Sequence, residues 1–414
     1  MANSYLTPDF HSNSQQLLPG LLFLMFINGC AQHKTVTEPY PLWGKKVILT
    51  SEDSGNRFLQ IKEPQQSSSA KACILMVHGM NEYIGRYAEI ARYFSDQYIV
   101  AGIDLTAHGL SNPVFAKVQK DLQKGGTKHD VSEAFLEQAQ LRNLQPMRDD
   151  FEQALQYLTL QCNHSENNKP LPIFILSHSL GSLVSASYLL QQTDNSQLKN
   201  RVAGIILSGP AFSVTQVPGW RGWLQNPFVR FSFHTHEHFL NPHDEALPLM
   251  LLNQLLSLIT VPIQDGLIEL LSLPGMRSFF SPSTPDWVIN HLSNWEEERN
   301  RQKSDPYILR RSILRYVLAI EKEVIQFRES MEQFDTPYLL IYSEHDPITP
   351  AWGNIDFATA SQQNHPDNEI MMLAGENHHE QLFSTPALRQ QVLEKIRAWI
   401  VLRSKKDISE FRGY

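Results

Sequence analysis

A serine hydroxyl becomes a useful nucleophile only when a base takes its proton and a tight backbone turn holds it exposed. The run Ser177-His178-Ser179-Leu180-Gly181 has that form. Small residues stand two before and two after Ser179, where an incoming strand and an outgoing helix would crowd. Asp346 follows another apolar run, in Ser343-Glu344-His345-Asp346-Pro347, and two histidines end Gly375-Glu376-Asn377-His378-His379-Glu380. The order Ser, Asp, His, each placed after an apolar run, offers a nucleophile, a carboxylate to orient an imidazole, and the imidazole itself. Counting from Gly375, a Gly-x-x-His turn selects His378 as the base, with Asn377 suited to a left-handed conformation. Counting back from Glu380 and Phe383 selects His379. Turn geometry favours His378 and leaves His379 as the alternative. The run His78-Gly79-Met80-Asn81 also follows an apolar stretch, and the backbone N–H groups of Met80 and Leu180 are the expected donors to an oxyanion.

These residues need strands that end beside one another. Lys46–Thr50 and Arg57–Lys62 read as an opening hairpin around Ser54-Gly55-Asn56. Ala72–Val77, Ile99–Leu105, Ile173–Leu176, Val202–Leu207, Tyr338–Tyr342 and Ile370–Leu373 are short apolar runs of the kind buried on both faces. Helical patterns at Tyr87–Phe94, Met147–Leu160, from Leu180, and at Ala387–Leu402 alternate with them. This predicts an α/β fold with a mostly parallel sheet covered on both faces, and ligands at the strands' carboxyl ends. Residues 113–145 read as an elaborated loop. Residues 209–334 break the alternation with two Leu-rich helical segments, Leu247–Val261 and Leu267–Leu273, which predicts a helical cap inserted between core segments 45–208 and 335–414. Leu247–Val261 is apolar nearly all round, so it is expected either in a core or at an apolar, membrane-facing rim. Trp220, Trp223, Phe228, Phe231 and Phe233 are expected either to bind an acyl chain or simply to pack.

The chain has 414 residues, 42% hydrophobic and 19% charged, with a net charge of −8. No basic excess exists to neutralise phosphates, which argues against a nucleic-acid partner. The three cysteines, Cys30, Cys73 and Cys162, form neither a disulfide framework nor a zinc pattern. Cys73 reads as a small buried hydrophobe and Cys162 has no assigned role. Cys30 closes the mostly apolar stretch 17–29, and Ile27-Asn28-Gly29-Cys30 resembles a bacterial lipobox. That resemblance implies a signal segment over residues 1–30, a lipid anchor on Cys30, a tether over 31–44 and an outer-membrane location. Residues 1–20 hold no Lys or Arg, which supports the alternative of a cytoplasmic enzyme. No other segment is expected to be long and apolar enough to cross a bilayer.

The run His234-Thr235-His236-Glu237-His238 would offer three imidazoles at two-residue spacing on an extended segment. It lacks further ligands at a known metalloenzyme spacing, so a polar cap loop without metal is expected. His78-Gly79-Met80-Asn81-Glu82 with Gly85-Arg86-Tyr87, and Asp104-Leu105-Thr106-Ala107-His108-Gly109-Leu110-Ser111, are more informative. They resemble the monoacylglycerol lipase and bacterial lysophospholipase branch of the α/β hydrolases, a group of the S33-type serine aminopeptidase kind. Ala107 replaces the glycine usual in that pattern, and Ser177 replaces the usual first glycine of the nucleophile turn. The resemblance extends over roughly residues 45–400. It implies an eight-stranded α/β-hydrolase sheet with a helical cap, and cofactor-free hydrolysis of a carboxylic ester through an acyl-enzyme. It also implies lysophospholipids or monoacylglycerols as substrates, met at a membrane surface. Thioesterase or peptidase chemistry on the same fold, and a non-catalytic envelope protein, are the rival expectations.

Overall fold

The computed structural model describes residues 35–404, apart from 52–54, 66–69, 127–128, 132–133, 164–169, 193–195, 214, 217, 241–246, 282–283 and 312. The segment ending at Cys30 lies outside the described residues. A two-residue ribbon pairs β1 (Thr35–Val36) with β6 (His129–Asp130). The main sheet has eight strands: β2 (Lys45–Ser51), β3 (Gly55–Lys62), β4 (Ala72–Val77), β5 (Tyr98–Ile103), β7 (Ile173–His178), β8 (Val202–Ser208), β9 (Tyr338–Ser343) and β10 (Glu369–Leu373). Their spatial order is β10-β9-β8-β7-β4-β5-β3-β2. Every pair from β5 to β10 is parallel, and the opening hairpin β2–β3 joins antiparallel at the β5 edge.

The middle strands β4, β5, β7, β8 and β9 are buried along their whole length. Their unbroken apolar sequences are what a sheet covered on both faces requires. Helices α1 (Ala88–Phe94), α2 (Pro113–Gln123), α3 (Ala134–Gln138), α4 (Gln145–Gln161) and α5 (Leu180–Gln191) alternate with the strands. After β9 come α12 (Ala351–Ser361) and α13 (Pro386–Ser404). The stretch 113–145, read from sequence as a loop, contains α2, α3 and β6. Asn112 caps α2 by accepting the Val114 N–H, with Pro113 at the first helical position.

Between β8 and β9 run α6 (Gly219–Leu240), α7 (Leu247–Leu271), α8 (Arg277–Phe280), α9 (Asp286–Ile289), α10 (Glu296–Ser304) and α11 (Leu314–Ser330). The two Leu-rich segments form one continuous helix, α7. The sequence break fell at Pro262, which normally interrupts a helix, but α7 runs through it. By length and composition α7 is long and apolar enough to cross a bilayer, contrary to the sequence expectation. Its buried residues, Ser257, Val261, Gln264 and Leu271, lie on one stripe. Most of its leucines and isoleucines face solvent: Leu252 is 61% exposed and Ile263 65%. The helix therefore packs a partly polar stripe inward and presents its most apolar surface outward.

Two further sequence readings are corrected. Cys73 on β4 and Cys162 just after α4 form a disulfide, with Cα atoms 6.5 Å apart and a sequence separation of 89. The segment His234–His238 is helical rather than a loop. In the aromatic set, Phe233 packs in the core and Phe231 is half-buried, while the side chains of Trp220, Trp223 and Phe228 lie outside the described residues.

Candidate active site

Strand β7 runs into α5 with only Ser179 between them, and Ser179 adopts φ 50°, ψ −119°. A non-glycine residue in that region is strained, and here the strain lifts the hydroxyl out of the strand–helix corner. The flanking residues explain the compact turn. A Cβ on Gly181 would come 2.4 Å from the His78 carbonyl oxygen, so only glycine fits. Ser177 is small enough for the other flank, and its hydroxyl donates to the Ile206 carbonyl at 3.1 Å. A serine is thus accommodated where the resemblance led us to expect glycine.

The imidazole facing Ser179 is that of His379, not His378. His379 Nε2 lies 2.9 Å from Ser179 Oγ, and its Nδ1 lies 2.8 Å from Asp346 Oδ2. His378 hydrogen-bonds Glu376 at 2.7 Å instead. The left-handed residue of this turn is Gly375, at φ 71°, and Asn377 has no positive φ. The His378 and His379 side chains take different partners, Glu376 and Ser179. Only one histidine of the pair can reach Ser179, and the phase of the loop selects the second.

Asp346 is buried and well held. Its Oδ1 accepts the N–H groups of Ile348 and Thr349 at 2.8 and 2.9 Å, and Oδ2 accepts the Thr349 hydroxyl at 3.1 Å. Burial would raise its pKa, but the adjoining His379 and these donors hold it below the ordinary carboxylate value. Burial would lower the pKa of His379, yet the charge and hydrogen bond of Asp346 raise it above the ordinary imidazole value. The pair is therefore arranged to stabilise an imidazolium.

The side expected to hold an oxyanion is built with equal constraint. Leu180 is the first residue of α5, so its N–H has no carbonyl partner within the helix. A Cβ on Gly79 would lie 3.0 Å from Ser179 Cβ and 2.4 Å from Glu82 Oε1, which fixes how closely the Gly79-Met80 turn approaches the nucleophile. Asn81 completes that turn at φ 62°, and its N–H donates to His108 Nε2 at 3.2 Å. His78 Nε2 accepts the Leu105 N–H at 3.0 Å. Burial pushes the His78 pKa down to about 4 and that of His108 to about 3. Both are neutral rings that brace the turn. Asp104 accepts the N–H groups of Ile84 and Leu110 at 2.7 Å each, and the Tyr40 hydroxyl. Burial pushes its carboxyl up to about 7.

Sequence reasoning missed a buried charge cluster behind the site. The Arg86 guanidinium bonds Glu82 at 2.8 Å, Glu298 of α10 at 2.6 Å, and both oxygens of Glu380 at 2.9 and 2.5 Å. Glu82 in turn binds the Gly79 N–H at 3.1 Å and His178 Nδ1 at 2.6 Å, and Gln302 donates to Glu380 at 2.6 Å. Burial opposes ionisation of Glu82, but His178 and Arg86 hold its pKa far below the ordinary value. The Glu82 and Arg86 spacing was visible in sequence. Their partners on α10 and beside His379 carried no local signal.

A parallel sheet with a nucleophile–imidazole–carboxylate relay at its strand ends defines an α/β hydrolase. The chain matches the model of the serine aminopeptidase S33 family over residues 68–382. It belongs to that family and is a hydrolase. Among solved structures it is similar to a soluble variant of the monoglyceride lipase of Saccharomyces cerevisiae in complex with a substrate analogue. That match has 16% identity and TM-score 0.58, and covers 89% of this chain and 99% of the other. It is also similar to the monoacylglycerol lipase of Paleococcus ferrophilus, with 16% identity, TM-score 0.54 and coverage of 84% and 99%. A carboxyl esterase of Bacillus coagulans in complex with glycerol matches at 16% identity, TM-score 0.52, and coverage of 87% and 98%. At these identities the likeness is one of fold. No curated protein matches the sequence.

Proposed function

We propose that this protein hydrolyses carboxylic esters of single-chain glycerolipids, monoacylglycerols or lysophospholipids, with Ser179, His379 and Asp346 as its catalytic residues. The observation that carries the chemistry is the relay from Ser179 Oγ through His379 to Asp346, with links of 2.9 and 2.8 Å. His379 takes the Ser179 proton as Oγ attacks the ester carbonyl, and Asp346 stabilises the imidazolium so formed. The N–H groups of Met80 and Leu180 receive the oxyanion, and removing one such donor typically costs about 10²–10³ in kcat. His379 then protonates the leaving alcohol. Water, activated by the same imidazole, releases the fatty acid from Ser179.

The outward-facing leucines of α7 support a lipid substrate collected from a membrane surface. An exposed apolar face of this size is a site of contact with an apolar phase, and a helix of 25 residues is about 37 Å long. We further propose an envelope location with Cys30 as a lipid anchor. The Cys73–Cys162 disulfide supports an oxidising compartment.

Release of free fatty acid from monoacylglycerols, lysophospholipids, phospholipids and short p-nitrophenyl esters tests the substrate class. Turnover of single-chain lipids above all others is expected. Cleavage confined to short esters, thioesters or peptides would replace the lipid reading by one of its rivals. A fluorophosphonate probe is expected to label Ser179, and failure to label folded protein would favour a non-catalytic binding role.

A further inference from the structure

The helical course of α6 divides the histidines of 234–238 between two faces. His236 is buried. Its Nδ1–H donates to the Ser232 carbonyl at 2.8 Å, and Nε2 lies 3.2 Å from Asp265 Oδ1 on α7. Asp265 also accepts Lys322 of α11 at 2.7 Å, so this contact ties α6, α7 and α11 together. His234, Glu237 and His238 stand at i, i+3 and i+4, the spacing that gathers side chains on one helix face. One candidate ligand atom from each lies within 4.8 Å of the others, and the two imidazole centroids are 4.0 Å apart.

We propose that His234, Glu237 and His238 form a binding site for a divalent transition-metal ion of the zinc class, separate from the hydrolytic centre. The tautomer of His238 fits this use. Its Nδ1 lies 2.8 Å from the His234 carbonyl, so the Nδ1–H donates there and Nε2 is the nitrogen that would coordinate an ion. Tetrahedral zinc with bonds of about 2.0–2.1 Å needs ligand atoms about 3.4 Å apart. The remaining gap of about 1.4 Å closes by side-chain rotation at positions that are exposed or half-buried. Two imidazoles and one carboxylate suit zinc, copper, nickel or cobalt better than magnesium or calcium. Three protein ligands leave a fourth position for water. This revises the sequence expectation at its root: three alternating imidazoles make no site, but an i, i+4 pair with the intervening glutamate does.

Calorimetric titration of zinc into the untagged, EDTA-treated full chain at neutral pH tests the site. One ion per chain is expected. His234→Ala and His238→Ala should each weaken binding by at least about tenfold, and the double variant should abolish it while retaining the helical circular dichroism of the parent. Absence of saturable zinc binding, undiminished affinity in the double variant, or equal binding of magnesium would each overturn the assignment. None of these results depends on hydrolytic activity, so the proposed substrate class stands or falls separately.

Discussion

Arg86 grips Glu380 with both arms of its guanidinium, at 2.9 and 2.5 Å, and Glu380 is the residue next to His379. The same side chain holds Glu298 of α10, while Glu82 links it to Gly79 of the oxyanion turn. One buried cation thereby joins α10, the Gly79-Met80 turn and the loop carrying His379. Arg86→Met would leave three buried carboxylates without their cation. A loss of about 3–5 kcal/mol of stability is expected from breaking such a buried pair. Urea unfolding measures it. Arg86→Lys should not restore the parent, because an ammonium cannot fork onto a carboxylate. Equal stability of the Lys variant and the parent would count against this geometry.

His379→Ala should lower kcat by about 10³–10⁶-fold, whereas His378→Ala should stay within a few-fold of the parent. Steady-state hydrolysis of a short chromogenic ester measures both. An inactive His378 variant with a functional His379 variant would reverse the assignment.

The base must be neutral to accept a proton. Because the His379 pKa is raised, the acidic limb of kcat/KM should lie above the ordinary imidazole value of about 6.5. The same shift acts on stability. The raised His379 pKa contributes stability that is complete below the unfolded value and lost as pH rises through the folded one. The depressed Asp346 pKa contributes stability present above the unfolded carboxylate value and lost as pH falls through its folded value. A pH–rate profile and melting curves across the same range check both signs. An acidic limb well below 6.5 would refute the raised His379 value.

Ala107 adopts φ 71°, where the related pattern has glycine. The left-handed conformation costs a non-glycine residue about 1–2 kcal/mol, while glycine loses about 0.5–1 kcal/mol more conformational entropy on folding. Ala107→Gly is therefore expected to stabilise the protein by up to about 1 kcal/mol. A lower melting temperature would contradict this.

Leu252→Glu combined with Ile263→Glu changes two exposed positions of α7. Binding to phospholipid vesicles and turnover of vesicle-borne lipid should fall, while hydrolysis of a soluble short ester should stay unchanged. Loss of both activities together would instead mark these positions as structural.

The presence and order of the core strands were the most legible part of the molecule. Ala72–Val77 is β4 to the residue, because a buried parallel strand needs an uninterrupted apolar run, bounded here by His78-Gly79. Ser179 and Asp346 were readable for the same reason: each follows such a run. His379 was not, since its selection depends on the phase of an irregular loop that periodicity does not encode. Cys73 was disguised by its apolar neighbours, and its partner lies 89 residues away. Glu298 and Gln302 carry no local sign of their partners, since only tertiary packing brings them onto Arg86 and Glu380.

The Cys73–Cys162 bond encloses the stretch that holds Gly79, Met80, Glu82, Arg86, Asp104 and His108, but none of Ser179, Asp346 and His379. The covalent loop thus takes in the Met80 side of the proposed reaction centre and not its Ser179 side. A thiol reductant is expected to loosen the Gly79-Met80 turn, while Leu180 and the proton relay lie outside the covalent loop. Reduced protein should therefore still become acylated at Ser179, only more slowly.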